Sequence, residues 1–93
     1  MKDIQVDFWG VRGSVPSPGP STTRYGGNTS CISITSGSKI LILDAGTGIR
    51  KLGSAIIGKP NLEIFVIITH THWDHIQGFP FFTPIYQPER PVH

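Results

Sequence analysis

Cysteine is almost absent: Cys31 stands alone in 93 residues, so no disulfide can form within the chain and no cysteine-based zinc knuckle can be built. A lone thiol suits a reducing compartment, and a cytoplasmic location is the expectation. Charge of either sign is sparse. Eight lysines and arginines face six acids, and the net charge of +2 is too small to point to nucleic acid. Among the basic residues only Arg50 and Lys51 are adjacent, which reads as solvated surface. Long apolar runs are missing too. The longest, Ile64 to Ile68, is far too short to span a membrane, and Met1 to Val6 lacks the apolar core of a signal peptide. No internal repeat or low-complexity segment is present. What remains is an ordinary folding composition, 38% hydrophobic and 15% charged, of a size for one small domain.

Periodicity places the elements. Ile4-Gln5-Val6-Asp7-Phe8 alternates apolar and polar and predicts a half-buried strand. Residues 9–27, rich in Gly, Pro, Ser and Thr, form a loop long enough to suggest a function. Cys31 to Thr35 and Ile40 to Leu43, joined by Ser36-Gly37-Ser38-Lys39, predict a hairpin. Ile49 to Ile57 spaces Ile49, Leu52 and Ile56 as a short helix, with Thr47 as its N-cap. Glu63 to Ile68 is apolar at nearly every position and predicts a central strand in a sheet buried on both sides. A helix over residues 74–82, capped by Asp74 and distorted by Gly78 and Pro80, follows.

Chemistry concentrates at the end of that last strand. His70-Thr71-His72-Trp73-Asp74-His75 holds three of the four histidines. By composition such a pattern arises by chance in roughly 3 of 10,000 chains of this kind. In an extended segment residues two apart point to one side, so His70 and His72 can converge on one ion. A turn at Asp74 aims Asp74 and His75 at a neighbouring place. Imidazoles with a carboxylate suit Zn²⁺, with Mn²⁺ and Fe²⁺ as competitors. Two such ions lower the pKa of a shared water and clamp the attacking and leaving oxygens of a displacement, the chemistry of phosphoester, thioester or amide hydrolysis. Trp73, between the donors, reads as a packing residue.

The same six residues resemble the signature of the metallo-β-lactamase-fold hydrolases. The likeness extends to Trp9-Gly10-Val11-Arg12-Gly13-Ser14 with Pro16, to Arg24-Tyr25-Gly26-Gly27-Asn28-Thr29-Ser30-Cys31, to Asp44-Ala45-Gly46-Thr47-Gly48-Ile49-Arg50 and to Ile76-Gln77-Gly78-Phe79-Pro80-Phe81-Phe82. It is similar to the tRNA 3′-processing and phosphodiesterase branch rather than to true β-lactamases. That resemblance implies an α+β fold, the αββα sandwich, represented by its N-terminal half over residues 1–93, with a mixed, mostly antiparallel sheet and short helices. It implies two divalent metal ions, zinc first, with His70 and His72 on one and Asp74 and His75 on the other. Asp74 also orients the attacking water and is the catalytic residue. Asp44 stands behind the ligands, holding an imidazole or the loop, or capping the following helix. Asn28, Thr29 and Arg12, with Arg24, are candidates to meet a phosphoester substrate, a nucleotide or nucleic acid.

The resemblance also implies donors that this chain does not supply. Beyond His75 only Glu89 and His93 have donor side chains, and His93 reads as a strand start. Two zinc ions require about four ligands each. One sheet of a sandwich leaves its inner face open, so self-association, or a missing C-terminal half, is expected to cover it. The readings are a metal-dependent hydrolase of phosphodiesterase type, a non-catalytic metal-binding half-domain, and a module that docks a partner.

Overall fold

The computed structural model describes residues 3–12, 27–59, 61–69, 71–87 and 90–93. Four strands form one mixed sheet in sequence order: β1 (Ile4–Gly10), β2 (Cys31–Ser36), β3 (Lys39–Leu43) and β4 (Glu63–Ile67). β1, β2 and β3 pair antiparallel, and the β2–β3 hairpin turns through Gly37, whose φ of 59° places it in the left-handed region. β4 lies parallel to β3 because the chain crosses over through a single helix, α1 (Ile49–Ile56). The α+β arrangement with a mixed sheet agrees with the sequence.

The core lies between α1 and one sheet face. Ile49, Leu52 and Ile56 of α1 are buried with Ile40, Ile42, Ile64, Cys31, Ala45 and Phe82. Arg90 closes the helix end, donating to the carbonyls of Ile56, Ile57 and Lys59 and to the side chain of Gln87. Those carbonyls lie at and just beyond the end of α1, where the intrahelical bonding ladder runs out.

Several expectations are corrected. α1 begins after Gly48, not Thr47, and carries no side-chain cap. The Thr47 hydroxyl is engaged instead by the Thr29 N–H at 2.8 Å. β4 is the outermost of the four strands rather than central, with Val92 and His93 bonded along its outer side. Residues 74–82 form no α-helix. Three 3-10 turns, 73–75, 79–81 and 83–86, take its place. Pro80 and Pro84 have no N–H to extend an α-helical ladder.

The sheet faces correct the expectation of a sheet buried on both sides and agree with that of an open inner face. The strand register divides the side chains into two sets. One set, including Ser33, Ile40, Ile42 and Ile64, faces α1. The other runs in rows across all four strands: Phe8, Ile32, Leu43 and Ile67, then Val6, Ile34, Leu41 and Phe65, then Ile4, Ser36, Lys39 and Glu63. This second face is open: Ile4 and Phe8 are each 68% exposed, and Val6 and Ile67 49%. The sheet is therefore buried on one side. β1 turns its apolar residues outward and its polar ones inward, where the Trp9 indole donates to the Ser33 hydroxyl at 2.8 Å.

Candidate metal centre

The site forms where the parallel strands β3 and β4 end, the rim at which parallel α/β units commonly bind ligands. Asp44 follows β3 with φ of 68°, a left-handed turn that Asp tolerates better than most residues. Its N–H still bonds the Ile67 carbonyl at 2.8 Å. The carboxylate is buried, and Oδ1 accepts from the Thr69 backbone N–H at 2.7 Å, while both oxygens lie within 2.9 Å of the Thr69 hydroxyl.

Asp44 Oδ2 also stands 2.8 Å from His75 Nδ1. The oxygen lies off the ideal line of the ring N–H, so the pairing is electrostatic as much as directional. On the far side of the ring His75 Nε2 is 3.4 Å from Asp74 Oδ2. The imidazole thus lies between two carboxylates. Burial raises the Asp44 pKa, but the hydrogen bonds from Thr69 and His75, and the charge His75 carries when protonated, outweigh it and leave the carboxyl below its usual value. Nearby Cys31 is fully buried, and desolvation, helped by the Asp44 charge, pushes its thiol up to about 12.

Two loops are stitched together to hold this geometry. Ala45 N–H bonds the His75 carbonyl at 2.7 Å, and Gly78 N–H bonds the Ala45 carbonyl at 2.8 Å. Gly46 has no room for a side chain: a Cβ there would stand 2.5 Å from the Asp74 carbonyl oxygen. A Cβ on Gly78 would collide with the Gly46 carbonyl. Beneath them Thr29 and Thr47 bond reciprocally, each backbone N–H reaching the other's hydroxyl at 2.8 and 2.7 Å, and the Gln77 amide donates to the Thr29 hydroxyl at 3.1 Å.

The residues singled out by sequence divide accordingly. Asp44, Asp74 and His75 come together. His72 is exposed at the start of the same turn. His70, Arg24 and Glu89 lie outside the described residues. Among the described residues no group of three His, Cys, Asp or Glu side chains is arranged to hold a metal ion by itself. Thr29 is fully buried with its hydroxyl occupied, so it holds the loop and does not face a substrate. Asn28 lines a groove of about 410 Å³ with Thr47, Arg50, Lys51 and Ser54. Arg12 is exposed, and its backbone is bridged to Thr29. Trp73, expected to pack, is 68% exposed. His93 stacks on Phe65 at 4.9 Å, away from the cluster. Sequence reasoning missed Thr69, Thr47 and Gln77. A hydroxyl directly before the first histidine was the one available signal.

The family model of the metallo-beta-lactamase superfamily matches residues 24–93, three quarters of the chain. The chain belongs to the metallo-beta-lactamase superfamily. That membership agrees with the α+β architecture and brings with it a metal-dependent hydrolase kind of function. No curated protein and no solved structure matches the chain.

The donors present fit the metal chemistry of the superfamily. A ligand imidazole characteristically gives its other nitrogen to a carboxylate that fixes its tautomer. His75, held through Nδ1 by Asp44, presents Nε2 toward Asp74, and this is the arrangement such a ligand needs.

Proposed function

We propose that this superfamily member is a phosphodiesterase-type hydrolase that works with zinc bound at His70, His72, Asp74 and His75. The observation that carries the reading is His75 held between Asp44 at 2.8 Å and Asp74 at 3.4 Å. The Asp44 carboxylate beside Nδ1 favours the tautomer with its proton there, which turns the Nε2 lone pair toward Asp74 and an ion held with it. Asp74 and His75 hold one ion, His70 and His72 the other. When bound, the metal supplies a water of lowered pKa and charge to offset that developing on the phosphoryl oxygens.

The chain's own residues do the rest. Asp74 accepts a hydrogen bond from the attacking water and aligns it. Thr69 fixes Asp44 through backbone and hydroxyl, so the imidazole cannot rotate out of line. The Asn28 groove, with Arg50 and Lys51 on its wall, offers cations to a phosphate.

The test is metal content together with hydrolysis of bis(p-nitrophenyl) phosphate. The unaltered chain should bind zinc and turn over, and His72→Ala and Asp74→Ala should lose metal and rate together. Equal metal in all three proteins would refute the ligand assignment. Zinc bound without turnover would favour a non-catalytic metal-binding module.

A further inference from the structure

The groove beside α1 carries charge that the fold itself does not use. Arg50 and Lys51 occupy the first turn of α1, the positive end of the helix dipole, where a cation is disfavoured. No acid stands in that turn to offset them. Both side chains are exposed, and among the described residues neither lies within ion-pairing distance of a carboxylate. The sequence reads this pair, the only adjacent basic residues in the chain, as solvated surface. The walls around it change that reading.

The groove, about 410 Å³, falls within the size range of small-molecule sites. Asn28, Thr47 and Ser54 complete its lining, and no acid is among them. Their oxygens are engaged elsewhere. Asn28 Oδ1 accepts from the Thr47 hydroxyl at 3.3 Å, and that hydroxyl in turn accepts the Thr29 N–H at 2.8 Å. The Ser54 hydroxyl turns back onto the Arg50 carbonyl at 3.3 Å. With its oxygen so held, the Asn28 side chain has its NH₂ left to offer. The groove therefore presents two cations and an amide donor, the complement of an anion.

Charge narrows the class of that anion. A phosphodiester carries a single negative charge, whereas a phosphate monoester or free phosphate carries about −1.5 to −2 at neutral pH. Two cations match the dianion. None of Asp44, His72, Asp74 and His75 lines the groove, so it is distinct from the metal centre. The two sites stand at opposite ends of the short segment that joins β3 to α1.

We propose that the groove between Asn28 and the first turn of α1 is a binding site for a dianionic phosphate group, free or at the end of a monoester. Arg50 and Lys51 neutralise the group, and the Asn28 amide orients it. The assignment stands whether or not the metal reading does.

NMR titration of the purified chain tests the proposal. At about pH 7.5, p-nitrophenyl phosphate and inorganic phosphate should shift the Asn28 side-chain amide and the Arg50 Nε–H, and the tighter binder of the two identifies the occupant as ester end or free ion. The diester bis(p-nitrophenyl) phosphate should bind there about tenfold more weakly or worse. Arg50→Gln with Lys51→Gln should weaken dianion binding about tenfold or more, while Asp74→Ala should leave it unchanged, which separates this site from any failure of the metal assignment. If the double variant fails to fold, Asn28→Asp, which sets a carboxylate in the groove, should give the same loss. Shifts confined to His72, Asp74 and His75 would overturn the proposal, as would binding indifferent to these groove variants. Displacement of both dianions by equal chloride would mean an adventitious ion only, and would overturn it too.

Discussion

Asp44 is where backbone, hydrogen bonding and electrostatics meet at the scale of the single residue. Asp44→Asn replaces one acceptor oxygen with an NH₂. The amide then donates to His75 Nδ1, which forces the ring proton onto Nε2, the atom turned toward Asp74. Nitrogen-15 chemical shifts of His75 should report the switched tautomer, and zinc affinity should fall by about 10- to 100-fold. Stability should follow pH with a definite sign. The Asp44 carboxyl is lowered in the fold, so its contribution is present above the ordinary value of 3.8 and is lost as the pH falls below it. The acid limb of a stability–pH curve should therefore be shallower in Asp44→Asn. Cys31, buried and raised to about 12, should ignore thiol reagents at neutral pH until the chain unfolds. The metal-type donors were legible in the sequence because they are contiguous. Thr69, 25 residues from Asp44, and Gln77, 48 from Thr29, were not, since no local pattern encodes a partner that far along the chain.

Elements with a clean period were readable, and those shaped by packing were not. β1, β2 and α1 follow from alternation or helical spacing, and β3 from a continuous apolar run after a turn. The segment after His72 has no such period. Its path is set by prolines and by two glycines pressed against backbone from another loop, and the result is a chain of 3-10 turns. Gly46→Ala should drive a methyl into the Asp74 carbonyl and cost about 1–3 kcal/mol, measured by urea unfolding. Because the displaced group is the backbone of a donor residue, the same variant should also lose zinc affinity. A variant that loses only stability would separate the loop packing from the metal centre.

For the whole molecule, alternation told which residues share a face but not which face turns inward. The apolar side of β1 reads as core, yet α1 packs on the side of Trp9 and Ser33, and Ile4, Val6 and Phe8 are left outside. Where α1 settles is a tertiary choice that the strand's own pattern does not encode. If zinc binds the folded chain alone, it should raise the melting temperature in proportion to the logarithm of its concentration. Dilution should lower that temperature if association covers the open face, again by mass action. The same face carries a thermal signature of its own. Contacts made almost wholly of Ile, Leu, Val and Phe weaken on cooling and strengthen in sulfate. An assembly held there should loosen in the cold, while the intrachain hydrogen bonds around Asp44 and Thr29 hold each copy's rim together.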